Sequence, residues 1–183
     1  MSDITLGLIC RICNSKTSEI LDLGMSPPAN SLMDNANSNI KRYPLILEFC
    51  QKCKNLQLKD CLDINSLYKH YFYETPKSKM LENHYEYLTK FLLSKKYINT
   101  SSNVVEIGSN IGLYLKFLKP YVKNILGIDP AENIVKKANK LGVNTICNFF
   151  NQNLASNLKI TKGKADAIIA RHCFAHNESP HEL

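Results

Sequence analysis

The sequence has no apolar run of the roughly twenty residues that a membrane-spanning helix needs, so nothing in its 183 residues reads as a membrane segment. Its opening, Met1-Ser2-Asp3-Ile4-Thr5, lacks the basic region and long apolar stretch of a secretory signal. A cytoplasmic chain is therefore expected. No internal repeat and no low-complexity segment is visible, which argues against solenoid and linker architectures. The net charge of +7 comes from scattered lysines such as Lys95, Lys96, Lys136, Lys137, Lys162 and Lys164. They are not interleaved with aromatics as a single-strand binder requires. They read as solvated surface, and no nucleic-acid partner is expected. Attraction to an anionic partner, such as a nucleotide diphosphate or RNA, is the alternative.

What is present begins with Val104-Val105-Glu106-Ile107-Gly108-Ser109-Asn110-Ile111-Gly112. An apolar strand runs into an acid and then a glycine-rich bend, where backbone can turn and approach a ligand closely. Leu113 to Leu118 reads as a helix stopped by Pro120. The next apolar run, Ile125-Leu126-Gly127-Ile128, ends on Asp129. Strand, glycine bend, helix, strand and acid form the opening of a nucleotide-binding α/β unit, with the second acid at the spacing of a ribose-binding carboxylate. The glycine spacing is G-x-x-x-G rather than the G-x-G-x-x-G of dinucleotide enzymes. With the acid before the first glycine, it points to S-adenosylmethionine rather than NAD. A loop that only packs a helix on a sheet is the alternative.

The length allows one good core, or one core and a small module. Residues 1–65 read as a zinc-binding domain, 66–100 as a helical linker or substrate-lid segment, and 101–183 as the N-terminal part of a cofactor-binding Rossmann-like domain. Met25-Ser-Pro-Pro-Ala-Asn-Ser31 is turn-rich, Asp34 to Ser38 is a polar loop, and Tyr43 to Phe49 reads as a strand. Leu81, Tyr85, Leu88, Phe91 and Leu92 fall at helical spacing, predicting an amphipathic helix from about Lys77 to Lys95. A second helix carries Ile134, Val135, Ala138 and Leu141 and is closed by Gly142. Val143 to Cys147 and Ala165 to Ala170 complete four strands, the last read as buried. Four parallel strands leave such a sheet incomplete, and the final residues look like the start of another helix. A fragment, a truncated product or one part of a longer chain is expected.

Cys10-Arg-Ile-Cys13 and Cys50-Gln-Lys-Cys53 each put two thiolates on one turn, half of a tetrahedral zinc site. Four sulfurs with no fifth nearby argue for a closed, structural Zn2+ site, with free thiols as the alternative. Cys61, Cys147 and Cys173 are singletons, read as buried small apolar residues. Ligands of open α/β sheets bind beyond the carboxyl ends of the strands. Arg171-His172-Cys173-Phe174-Ala175-His176 follows the fourth strand, so His172 and His176 are candidates for proton transfer. His70-Tyr71-Phe72-Tyr73-Glu74 reads first as aromatic packing.

In order and content, several segments resemble the sugar C-methyltransferases that act on nucleotide-linked keto-deoxysugars. They are Cys10–Cys13, Leu21-Asp-Leu-Gly-Met-Ser-Pro-Pro-Ala-Asn30, Tyr43-Pro-Leu45, Cys50–Cys53, Tyr71-Phe-Tyr73, Glu106-Ile-Gly-Ser-Asn110, Gly127-Ile-Asp-Pro130, Phe149-Phe150 and Ala175-His176. Ile111 departs from an Asp usual there, and Arg171-His172 from an Asn-Asn. The resemblance implies an incomplete Rossmann-like class I methyltransferase sheet behind a small zinc-binding domain. It implies catalytic His176, Tyr71 and Tyr73, with His176 or a tyrosine as the base that forms an enolate. Glu106, Gly108, Ser109, Asn110, Gly112, Asp129, Phe149 and Arg171 are expected around S-adenosylmethionine, and Cys10, Cys13, Cys50 and Cys53 around zinc. A nucleotide sugar is the implied substrate. Methylation of oxygen or nitrogen on another small molecule, and an inactive zinc-bearing module, are the rival readings.

Overall fold

The computed structural model describes residues 8–29, 32, 35 and 39–183, with the backbone of Ile4–Thr5. Asn30 and Ser31 of the turn-rich segment, and most of the polar stretch 34–38, lie outside the described residues. The chain divides into two compact units, Met1–Lys69 with Glu178–His181, and His70–Asn177 with Glu182–Leu183.

The first unit is built on short antiparallel strands. They are β1 (Ile4–Thr5), β2 (Ser18–Ser26), β3 (Tyr43–Phe49), β4 (Leu56–Leu58) and β5 (Cys61–Leu62), followed by the single-turn helix α1 (Ile64–Tyr68). β1 pairs with β5, and β2-β3-β4 form a three-stranded sheet. Periodicity in the sequence does not reveal β2, and its register explains why. Pairing with β3 shifts between Glu19 and Leu21 and again between Asp22 and Met25, so two irregularities break the alternation that marks a strand. At the second, Gly24 takes φ +78° and donates its N–H to Asp22 Oδ1 at 2.7 Å. The buried centre is polar. Glu48 Oε2 accepts from Thr17 Oγ1 at 2.8 Å and Leu8 N at 3.3 Å, while Gln57 accepts from Arg11 N and donates to the Ile9 carbonyl, both at 3.0 Å.

The second unit opens with α2 (Lys79–Ser94), capped by the Ser78 hydroxyl. It continues β6 (Asn103–Ile107), α3 (Leu113–Leu118), β7 (Asn124–Asp129), α4 (Glu132–Lys140), β8 (Thr145–Cys147), α5 (Gln152–Lys162) and β9 (Ala167–Ala170). The four strands are parallel in the order β8-β7-β6-β9. That order of third, second, first and fourth strand is the central part of a doubly wound sheet. Leu118, Tyr114, Val104, Ile98, Val122 and Tyr85 form the main core, and Ile111, Ala131 and Ile134 a second cluster onto which Tyr71 packs. α2 thus belongs to the core through Tyr85 and Thr89, which face inward.

Two expectations need correction. β9 is not buried: its residues alternate in exposure and Ile168 is 58% exposed. It pairs only with β6 and stands at the edge of the four described strands, so one side lacks a strand neighbour. The single cysteines are not uniformly buried either. Cys147 is exposed, and Cys61 and Cys173 are half-buried, because each lies at the end of a strand or in a loop rather than inside a packed face. No described helix is long and apolar enough to cross a membrane.

Candidate functional site

The two Cys-x-x-Cys turns have matching backbones. Cys10 N donates to Ser15 O and its carbonyl accepts from Asn14 N, while Cys50 N donates to Asn55 O and its carbonyl accepts from Lys54 N, all at 2.8–2.9 Å. Asn14 and Lys54 both take positive φ, 56° and 63°. Each turn therefore presents two thiols to one side. The sulfurs of Cys10, Cys13, Cys50 and Cys53 all lie within 4.8 Å of one another, with Cys10–Cys53 and Cys13–Cys50 at 3.5 Å. A tetrahedron with metal–sulfur bonds of about 2.3 Å has sulfurs about 3.8 Å apart. The cluster fits four-coordinate Zn2+ with no position left open. Asn55 Nδ2 lies 3.7 Å from Cys10 Sγ, the kind of donor that tempers thiolate charge.

The glycine bend lies over the carboxyl ends of β6 and β7. Gly108 N and Ser109 N both donate to the Ile128 carbonyl, at 2.8 and 3.2 Å. Gly108 and Gly112 take φ of +65° and +75°, and added Cβ atoms would come within 2.9 Å of Cys173 Cβ and 2.7 Å of Val143 Cγ1. Both positions thus require glycine, for conformation and for space. Asp129 ends β7 beneath this bend. Its Oδ2 accepts from Asn110 N at 2.9 Å and its Oδ1 from Ala131 N at 3.0 Å. Burial pushes its carboxyl above the ordinary value, and the two N–H donors pull the other way.

Glu106 is 1% exposed. Its Oε1 accepts from Arg171 Nε at 2.8 Å and Nη2 at 2.7 Å, and its Oε2 has no partner among the described residues. The Arg171 guanidinium lies 4.5 Å from the Tyr114 ring centroid and 5.2 Å from that of Tyr85. Desolvation pushes the Glu106 carboxyl up to about 7, with Arg171 opposing the rise. Ser109 turns its hydroxyl into the sheet instead of outward. It lies where a Cβ on Gly127 would be, 2.5 Å away, and has no hydrogen-bond partner among the described residues. The sequence places Ser109 on the loop but does not show that Gly127 is the hollow that receives it.

The aromatic segment after α1 is tied to this bend. Asn110 Oδ1 accepts from Thr75 N at 2.9 Å and Asn110 Nδ2 donates to Tyr73 O at 3.0 Å. Asn133 Oδ1 accepts from Tyr71 N at 3.1 Å and Asn133 Nδ2 donates to Tyr71 O at 2.7 Å. Asn133 and Lys137, which pairs with Glu74, had no signal in the sequence beyond their place on α4. Tyr71 and Tyr73 meet edge to face, with ring centroids 6.4 Å apart. The structure thus brings together Tyr71, Tyr73, Asn110, Gly108, Gly112 and Asp129 around one bend. His176 is exposed in a 3-10 turn, Phe174–His176, whose amide bonds the Cys173 carbonyl at 3.1 Å. His172 is exposed at φ +54°, and Phe149 is half-buried after β8. Cys173, a small apolar residue by its sequence alone, donates to the Ile107 carbonyl at 3.3 Å and abuts Gly108. A cavity of about 560 Å3 lies elsewhere, under α5 and against the first residues of the strands, lined by Asn103, Asn124, Phe150, Leu158 and Lys162. It includes none of the bend residues, and ligands of such sheets bind at the opposite strand ends.

Comparison with known proteins gives two family matches. A model described as a methyltransferase domain covers residues 79–183, more than half of the chain, and one described as a zinc binding domain covers residues 10–68. The chain is similar to the C-methyltransferase NovU of Streptomyces niveus, with 28% identity over 95% of this chain. It spans 42% of that relative's length. Among solved structures it is similar to the plantazolicin methyltransferase BpumL in complex with a pentazolic desmethylPZN analog and SAH (TM-score 0.41, 25% identity, 55% of this chain and 38% of that one). Magnesium protoporphyrin IX methyltransferase from Synechocystis with bound SAM gives a TM-score of 0.42 at 13% identity, over 60% of this chain and 57% of that one.

Proposed function

We propose, for a chain that belongs to the methyltransferase-domain family, that the glycine bend holds S-adenosylmethionine for methyl transfer to a carbon beside a ketone on a nucleotide-linked keto-deoxysugar. The observation that carries the reading is the pairing of the Gly108–Gly112 bend with two buried carboxylates, Glu106 and Asp129, at the carboxyl ends of adjacent parallel strands. That pair of acceptors suits a ligand presenting an ammonium group and a ribose diol. Each Asp129 oxygen accepts one backbone N–H and has a lone pair left for a hydroxyl. Glu106 and the backbone of Gly108, Ser109, Asn110 and Gly112 shape the methionine end, Arg171 balances the Glu106 charge, and Phe149 flanks the adenine. The bound cofactor supplies an electrophilic methyl group on a sulfonium. The chain's own part is to make the carbon nucleophilic by removing its proton, the task assigned to His176 or to Tyr71 or Tyr73. The similarity to NovU, a C-methyltransferase, supports carbon as the acceptor.

In this reading residues 1–65 carry a structural zinc on Cys10, Cys13, Cys50 and Cys53, 66–100 hold the linker and lid, and 101–183 bind the cofactor. The cytoplasm, which keeps thiols reduced, is the compartment that suits a four-thiolate site. Titration calorimetry tests the cofactor assignment: S-adenosylmethionine and S-adenosylhomocysteine bind and NADH does not. Binding of NADH alone overturns it. Solvent deuterium exchange into the carbon beside the ketone of a nucleotide-linked keto-deoxysugar, run without methyl donor, tests the proton step. His176→Asn is expected to abolish the exchange, and persistence in that variant moves the base role to Tyr71 or Tyr73.

A further inference from the structure

We infer that Asn133 and Asn110 are positioning residues. Their side-chain amides clamp the aromatic strap 71–75 to α4 and to the glycine bend, so that the bend and the two tyrosines move as one body. This deepens, and rests on, the reading of the bend as the cofactor site and of Tyr71 and Tyr73 as groups that act beside it.

An extended segment outside any sheet leaves its backbone N–H and C=O groups to be satisfied by something else. Here each partner is the fork of a side-chain amide, which donates and accepts at once. Asn133 takes both backbone groups of Tyr71, at 3.1 and 2.7 Å. Asn110 takes the Tyr73 carbonyl at 3.0 Å and the Thr75 amide at 2.9 Å. The Glu74–Lys137 ion pair falls inside the second clamp, between Tyr73 and Thr75 of the strap, and ties it to α4 one turn beyond Asn133. The two clamps also meet below the strap. Asn110 N donates to Asp129 Oδ2, and Asp129 Oδ1 accepts from Ala131 N at the cap of α4, two residues before Asn133. A closed hydrogen-bonded circuit thus runs from Tyr71 through Asn133, α4, Asp129 and Asn110 to Tyr73. Asn110 holds φ of +50° to enter it, a conformation in which asparagine is among the best tolerated side chains. The apolar side of the strap is seated in the same way, with Tyr71 against the cluster of Ile111, Ala131 and Ile134. A ligand that orders the bend or binds Asp129 therefore orders the tyrosines as well.

The test uses the whole chain. It contains no tryptophan, so Phe72→Trp places a single indole at an exposed position of the strap, excited at wavelengths the nine tyrosines do not absorb. Amide exchange is followed in parallel. Asn133→Ala is expected to speed exchange at Tyr71 by tenfold or more, to leave Thr75 unchanged and to lower the anisotropy of the tryptophan, with the melting temperature nearly constant. Asn110→Gly, which preserves the positive φ, is expected to do the reverse, releasing Thr75 and sparing Tyr71. Asn133→Asp keeps the acceptor and loses the donor, so it should restore part of the Tyr71 protection. S-adenosylhomocysteine is expected to slow exchange of both amides in the parent chain, and at Tyr71 only while Asn133 is intact. If S-adenosylhomocysteine binds but Tyr71 and Thr75 exchange alike in all variants, the clamps are overturned and the cofactor reading stands. If the variants behave as stated and S-adenosylhomocysteine does not bind, the clamps stand and the cofactor reading fails.

Discussion

The two units reach order by opposite means. In the first, the described residues that are buried are Cys10, Cys50, Glu48 and Gln57, while Ile20, Leu21, Leu23 and Met25 of β2 are each about half exposed. In the second, Ile98, Val104, Tyr114, Leu115, Leu118, Ile128 and Ile134 are nearly or fully enclosed. A unit of this size that buries so little apolar surface cannot offset its conformational entropy by hydrophobic transfer. It has instead four converging thiols and a hydrogen-bonded centre around Glu48. The second unit has a sheet with helices packed on it, and it confines its buried charges to the place where chemistry is proposed. The first unit thus depends on an ion that holds its turns, whereas the second depends on its core, and each can be disturbed separately.

The largest effect expected is from metal removal. Structural zinc in small domains contributes on the order of 10 kcal/mol to folding. A strong chelator, or Cys50→Ser, should unfold the first unit and leave the second folded. Amide exchange resolved by segment reads this directly, and a first unit that stays protected without metal breaks the comparison. Next is the converse. Leu118→Ala opens a cavity in the second core and should cost about 2–5 kcal/mol, seen as a lower urea midpoint, while cobalt substituted at the thiols keeps its tetrahedral absorption. Loss of both signals together would mean that the units are not independent.

A smaller effect is expected at the proposed ligand site. Asp129→Ala removes a charged acceptor, a loss of roughly 1.5–3 kcal/mol or about ten- to hundredfold in affinity. Calorimetry with S-adenosylhomocysteine should show it, with the first unit undisturbed. The last is electrostatic. The Glu106 carboxyl sits at about 7 in the folded chain against an ordinary 4.5. The folded state therefore holds the proton more tightly than the unfolded one. The stability this brings is fully present below about 4.5 and is lost as pH rises through about 7. The stability of the wild type relative to Glu106→Gln should accordingly fall as pH rises across that window, measured as paired urea midpoints. A difference that does not change with pH would show that Arg171 cancels the burial.

Much of this was legible in the residues because local chemistry dictates it. Glycines at a strand end, an acid at the end of the next strand and two Cys-x-x-Cys turns each have a short-range reason for their spacing, and short-range reasons can be read along a chain. The limits of α2 and α3 followed from apolar spacing and from Pro120 in the same way. β2 escaped because its two register shifts erase the alternation, and β9 was misjudged because burial of an apolar strand depends on which neighbours the sheet gives it. Ser109 shows the same limit: its place on the loop is a matter of sequence, but the hollow at Gly127 that receives its hydroxyl exists only once β6 and β7 are paired.

The sequence by itself determined that there would be a four-thiol cluster, a parallel nucleotide-type sheet and a glycine bend with Glu106 just before it and Asp129 at the end of the next strand. Only the tertiary structure decided that Arg171 grips Glu106 across 65 residues, that Cys173 fills the space a side chain on Gly108 would need, and that Asn133 and Asn110 hold Tyr71 and Tyr73 over the bend. The physical reason is the range of the interactions. Periodicity, capping and turn chemistry act over a few residues, whereas a buried carboxylate or an unpaired strand of backbone takes whichever partner the folded chain brings within 3 Å or so, and that partner has no fixed separation in sequence.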